Sequence, residues 1–220
     1  MTITRRRLLE LTGTGVLTLT AAGLFLGDGS PVAPVTQAAA QSADELMTAG
    51  PMEDKVLGDP EAPVTIIEYS SMTCPHCAAF HTGTLPEIKE KYIDTGKAKL
   101  VFREFPFDPR AMAAFMLARC APDDRYFPLI DVLYQQQRTW ASAPDARPPL
   151  LQISKLAGFT QESFEACLKN QEMLDNISQV QKRAADEFGV SSTPTFFING
   201  EKVAGNMSVE DMSKLIDKHL

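Results

Sequence analysis

Two hundred and twenty residues are enough for one domain with a real core and too few for two comfortable ones. A composition of 44% hydrophobic and 22% charged residues argues against both a disordered chain and a polytopic membrane protein. The formal charge of -7, with no basic patch after the first ten residues, excludes a binder of phosphate backbones, so nucleic acid is not expected as a partner.

In chain order, the first forty residues predict a targeting segment. Arg5, Arg6 and Arg7 precede an apolar stretch from Leu8 to Leu26, and Ala38-Ala39-Ala40 offers small residues for cleavage after Ala40. Thr4-Arg5-Arg6-Arg7-Leu8-Leu9 resembles a twin-arginine export signal, whose apolar core is diluted here by Gly13, Gly15 and Gly23. The alternative is an uncleaved membrane anchor, which the glycines, threonines and Glu10 disfavour. Residues 41–54 read as a polar lead-in. Gly58-Asp59-Pro60-Glu61-Ala62-Pro63 then makes a turn, so the folded domain is expected to begin near Lys55.

Val64-Thr65-Ile66-Ile67-Glu68-Tyr69 is a β-branched run without alternation, as suits a strand covered on both faces. Cys74-Pro75-His76-Cys77 follows, with Pro75 suited to the first turn of a helix. Phe80, Leu85, Ile88 and Tyr92 continue that helix, and Gly83 and Pro86 should kink it. Leu100–Phe105 predicts a second strand, completing a right-handed βαβ unit. From Asp108 to Gly189 helical signals take over, with starts at Asp108-Pro109, Thr160 and Asn170 and stops at Gly158 and Gly189. Thr195–Ile198, Asn199-Gly200 and Glu201–Ala204 predict a β-hairpin, and Ser208–Leu220 a closing amphipathic helix. The expected architecture is α/β: a sheet domain over 55–107 and 190–220, interrupted by a helical domain over 108–189.

The chemistry concentrates at the two cysteines of the helix entry. Unpaired backbone N–H groups and the positive end of the helix dipole stabilise a thiolate there, which marks Cys74 as the attacking sulfur. Cys77, one turn deeper and more shielded, becomes the resolving partner, and the His76 side chain can stabilise the Cys74 thiolate further. A stabilised thiolate makes the corresponding disulfide a stronger oxidant. A metal site at Cys74, His76, Cys77 and His81 is the competing reading, weakened because all four ligand types sit on one short segment. His81 is read as a surface residue of the helix rather than a proton relay. Cys120 and Cys167 complete an even count of four cysteines and are expected to form a structural disulfide within the helical domain. The alternative is two buried small hydrophobes that never meet.

Cys74-Pro75-His76-Cys77, Glu68 six residues before it, the long helical insertion and Thr193-Pro194 together resemble the DsbA-type periplasmic thiol:disulfide oxidoreductases over residues 55–220. The resemblance implies a thioredoxin fold with an inserted helical domain, and an enzyme that puts disulfides into reduced, unfolded exported proteins without a bound cofactor. It further implies a buried acid at Glu68, which on sequence alone could be an ordinary strand-end carboxylate. Thr193-Pro194 would be a cis-peptide loop facing Cys74, beside which substrate binds in extended form. A quinone-linked membrane protein would reoxidise the enzyme. A monomer in the periplasm is expected. A reductase or isomerase of the same fold is the enzymatic alternative. A different class is a non-redox peptide-binding chaperone, with a groove at Met112, Phe115 and Met116.

Overall fold

The computed structural model describes residues 45–220. The expected export signal over 1–40 and its cleavage after Ala40 lie outside the described residues, as do residues 41–44. The β-branched run after the Pro63 turn forms a central strand, β2 (Val64–Ser70), every residue of which is buried. It pairs in parallel with β3 (Ala98–Glu104) and antiparallel with β4 (Thr195–Ile198); β5 (Glu201–Ala204) continues the hairpin and β1 (Lys55–Leu57) edges β3. The sheet order is β1-β3-β2-β4-β5. Asn199 and Gly200, both at positive φ, make the hairpin turn that Asn-Gly favours.

Period-two alternation sorts the sheet's residues onto two faces. Ile66, Leu100, Phe196 and Ile198 pack with Phe80, Ile88, Tyr92, Met212 and Ile216 beneath helices α1 (75–93) and α8 (Val209–Lys218). Ile67, Tyr69, Val101 and Phe197 pack on the other face with Val180 and Ala184 of α7 (Gln171–Phe188). The sequence suggests a kink in α1 at Gly83 and Pro86. Around those residues the helix carries π-helical turns at Phe80–Thr84 and Lys89–Ile93, with the Leu85 N–H reaching back five residues to the Phe80 carbonyl. A proline has no N–H for the ordinary ladder, and a wider turn is one way a helix accommodates the gap.

The insertion comprises α2 (Pro109–Cys120), α3 (Asp123–Gln135), α4 (Gln137–Ala141), α5 (Arg147–Leu156), α6 (Gln161–Leu168) and α7. Asp108, Thr160 and Asn170 cap α2, α6 and α7 with their side chains, and Gly189 ends α7 in the left-handed conformation. Met112 is half-buried, while Phe115 and Met116 are buried with Tyr126, Leu133 and Trp140 in the helical core. The groove drawn at those three residues therefore has no open floor. Residues 45–54 also differ from a free lead-in: Leu46 is buried against α7 and the sheet. Among the described residues no helix is long and apolar enough to cross a membrane.

Candidate active site

The site lies where the C-terminal end of β2 meets α1. Cys74 is the N-cap of the helix with extended backbone angles, and Pro75 fills the first helical position, where a missing N–H costs nothing. Cys74 is half-buried, Pro75 and His76 are exposed, and Cys77 is fully buried. Both thiols are free. In its thiol form Cys74 Sγ donates to the Thr193 carbonyl oxygen at 3.2 Å, which brings the distant Thr193-Pro194 segment onto the helix entry. That peptide bond is cis, and both its residues are buried.

The two thiols are driven apart electrostatically. Cys74 is lowered from 9.0 to about 5, first by the hydrogen bond from the Cys77 thiol. Burial opposes the shift, and the Thr193 hydroxyl and the backbone N–H groups of Cys77 and His76 assist it. The Thr193 hydroxyl is buried without a hydrogen-bond partner beside the Cys74 thiol, so it is available to turn to a thiolate. Cys77 is pushed strongly upward, first by burial, then by its bond to Cys74 and by the Glu68 carboxylate. The main-chain N–H of His76 is thus among the groups that lower Cys74, and the residue itself is exposed.

Glu68 is fully buried in the middle of the sheet, flanked in register by Phe102 and Phe196. A carboxylate among phenylalanines needs a partner, and it has one that sequence reasoning placed on the surface. His81 is buried, with Nε2 at 3.1 and 3.0 Å from the two Glu68 carboxylate oxygens. Polarity alone suggested exposure; the usable signal was spacing, since His81 follows the buried Cys77 by one turn on the same side of α1. Cys74, His76, Cys77 and His81 therefore do not converge, and no group of three or more metal-ligating side chains occurs among the described residues.

Several residues around the site were not foreseen. Gln137 Nε2 donates to the carbonyls of Met72 and Cys74 at 2.8 and 2.9 Å, and Tyr134 and Ser70 share a hydrogen bond of 2.8 Å beside Cys77. Asp108, while capping α2, also accepts from the Thr73 hydroxyl. The insertion thus holds the backbone just before α1. Farther from the active sulfur, Cys120 and Cys167 are joined by a disulfide with their Cα atoms 6.1 Å apart.

A family model described as Thioredoxin matches residues 52–218. A Rickettsia felis protein described as a putative protein-disulfide oxidoreductase is 36% identical over 168 residues, which are 76% of this chain and 60% of that protein. A Bacillus cereus protein described as a probable disulfide bond formation protein D is 32% identical over 170 residues, covering 74% of this chain and 77% of that one. Among solved structures, Wolbachia pipientis alpha-DsbA1 is similar at 35% identity with a TM-score of 0.73, over 80% of this chain and 94% of that one. The chain spans about 60% of the length of the rickettsial relatives.

Proposed function

The chain belongs to the DsbA-type branch of the thioredoxin superfamily, and from that premise we propose that it is a thiol:disulfide oxidoreductase that oxidises exported proteins through Cys74 and Cys77. The observation that carries the reading is the opposition of the two thiols, with Cys74 lowered to about 5 and Cys77 held up by burial. A substrate thiolate attacks Cys74 Sγ of the oxidised pair, and a bond from substrate sulfur to Cys74 forms as the Cys74–Cys77 bond breaks. Cys77 leaves as a thiolate and takes a proton. A second substrate thiolate then attacks the substrate sulfur of the mixed disulfide, and Cys74 leaves as a stabilised thiolate. Substrate loses two electrons and the protein gains them. Good leaving ability at Cys74 and stabilisation of the reduced form both favour this direction.

In this reading Thr193-Pro194 is the substrate-binding loop. A buried Thr193 whose carbonyl already reaches Cys74 presents main-chain groups beside the reacting sulfur, where an extended peptide can pair. Cys120 and Cys167 are assigned a structural role within the insertion. The oxidised state is restored by a quinone-linked membrane partner, the chain acts as a monomer in the periplasm, and the N-terminal arginines and apolar stretch direct export through the twin-arginine route. Those assignments rest on the resemblance and on the sequence of residues 1–40. The burial of Phe115 and Met116 weighs against the non-redox chaperone.

Refolding of a reduced, denatured disulfide protein tests the direction of flow. One equivalent of oxidised protein should speed recovery of activity, and Cys74→Ser should abolish the gain. A redox potential near about -270 mV, the value of a reducing thioredoxin, would instead assign a reductase.

A further inference from the structure

The attacking sulfur is only as well aimed as the backbone that carries it. A cysteine has one rotatable bond between its main chain and its sulfur, so the place of Cys74 Sγ against the N–H groups of His76 and Cys77 is set by the turn that leads β2 into α1. That turn, residues 71–74, closes with the Cys74 N–H donating to the Ser71 carbonyl at 3.1 Å. Beyond it the Cys74 carbonyl accepts from the Ala78 N–H, also at 3.1 Å, the first rung of the helix. Both bonds are local, of a kind that helix entries commonly make. A second donor to the same carbonyl comes from 63 residues away.

Gln137 is buried, and its Nε2 donates to the Met72 carbonyl at 2.8 Å and to the Cys74 carbonyl at 2.9 Å. A primary amide carries two N–H bonds on one uncharged nitrogen, so this single side chain bridges the two carbonyls that flank Thr73. Thr73 itself is tied by its hydroxyl to Asp108. The amide is in turn held by its own element. Gln137 is the first residue of α4, the Gln136 N–H before it donates to the Val132 carbonyl at 2.9 Å, and the buried Trp140 donates from its indole nitrogen to the Leu133 carbonyl at 2.8 Å. The short helix is thereby fixed to the end of α3. Buried carbonyls keep their donors, so loss of the amide would leave the turn to rotate toward other partners, and Cys74 would move with it.

We propose that Gln137 is a positioning residue of the redox centre, which bridges the Met72 and Cys74 carbonyls so that the N–H groups of the helix entry stay aimed at Cys74 Sγ. The proposal rests on thiol exchange at Cys74 and Cys77. Donors stabilise a developing charge best when they are fixed before the charge arrives, and a hydrogen bond weakens steeply as its angle closes. The amide also draws toward itself the partial negative charge of two carbonyl oxygens that stand within two residues of the sulfur. Both effects act on the reduced form, in which Sγ is a thiolate; in the oxidised form Sγ is neutral. Gln137 thus favours departure of Cys74 as a thiolate when the disulfide passes to substrate, and makes the Cys74–Cys77 disulfide the stronger oxidant. The titratable groups about the turn are His76 on α1, Asp108 before α2, Tyr134 on α3, and Glu68 and Cys77 beneath it. Removing the amide alters the charge of none of them.

Gln137→Met keeps the length of the side chain and removes both N–H groups. Titrating the Cys74 thiolate by its ultraviolet absorbance should show the midpoint raised by about one unit, a tenfold loss in the thiolate equilibrium. The equilibrium constant for oxidising glutathione should fall by about the same tenfold. Gln136→Met, the same change at the exposed neighbouring glutamine, should move neither quantity. Asp54→Ala, which weakens the fold far from the entry, should lower the Tm and again move neither, so that lost stability is told apart from lost positioning. A folded Gln137→Met protein whose midpoint and equilibrium constant match the wild type overturns the proposal, whatever its Tm; a wild-type Cys74 that titrates near 9.0 overturns the exchange reading instead. If Gln137→Met does not fold, the side-chain amide resonances of Gln137 in the reduced wild-type protein decide. They should shift with the midpoint of the Cys74 titration and lose that step in Cys74→Ser; resonances that do not follow Cys74 would overturn the proposal.

Discussion

Cys74 and Cys77 are three residues apart and titrate in opposite directions, because one sits at the mouth of a helix and the other inside it. A depressed thiol stabilises the folded reduced protein above its ordinary value of 9.0, and that contribution is lost as pH falls through about 5. Cys77 is raised, so its contribution is present below the ordinary thiol value and is lost at higher pH. The window from about 5 to 9 therefore belongs to Cys74. The oxidised protein has neither thiol, so comparing the two forms isolates them. The Tm of the reduced form minus that of the oxidised form should be lowest at pH 4, rise steadily toward pH 8 and gain nothing beyond 9. A flat difference across that range would mean that the Cys77 hydrogen bond and the helix entry do not hold a thiolate at Cys74.

Elements whose signals are local were legible in the sequence, and those that depend on distant partners were not. The caps at Asp108, Thr160, Asn170 and Ser208 act on N–H groups two or three residues away, so chain order alone locates them. The π-helical turns of α1 were missed because Pro86 leaves open whether a helix bends or widens. Gln137 and Tyr134 were missed because they act on backbone and side chains 63 to 65 residues away, a pairing no periodicity encodes. The disulfide joins the last residue of α2 to Cys167 near the end of α6, across a separation of 47 residues. Closing a loop of that length is worth about 4 kcal/mol in the chain-entropy model, with measured values commonly lower. The double variant Cys120→Ser/Cys167→Ser should accordingly shift the urea midpoint down by an amount equivalent to about 2 to 4 kcal/mol. Dithiothreitol under conditions that reduce this bond should reproduce the shift. A midpoint unmoved by both would mean that packing between α2 and α6 holds the insertion without the bond.

The molecule is bound together across its far face by charge as well as by apolar surface. Arg103 on β3 is buried and donates to Asp54 through Nε and Nη2 at 2.9 and 2.8 Å. Its Nη1 donates to the Leu46 carbonyl at 2.8 Å and the Tyr69 hydroxyl at 2.9 Å. Arg183 on α7 reaches the Glu45 carbonyl at 2.6 Å, and Arg119 on α2 bonds both Glu104 and the Glu53 carbonyl. Residues 45–54 are in this way tied to the sheet, to α7 and to the insertion at once, although their polarity in the sequence suggested only a tether. A polar segment looks like a linker until the arginines that bind its carbonyls are known, and those lie tens of residues downstream. Surface ion pairs are worth little, but removing one partner of a buried pair strands the other and typically costs about 3 to 5 kcal/mol. Asp54 is only part-buried and Arg103 keeps its carbonyl and phenol partners, so Asp54→Ala should lower the unfolding free energy by less than that, about 1.5 to 3 kcal/mol, while Asp54→Ala/Arg103→Met should recover a large part of the loss by removing the stranded charge. Thiol exchange by the Asp54→Ala protein at a temperature where it is folded should match the wild type, since no bond of Asp54 reaches Cys74 or Cys77. A double variant that adds the two losses, measured by urea unfolding, would show that Arg103 is held by its carbonyl and phenol partners and that Asp54 is a bystander.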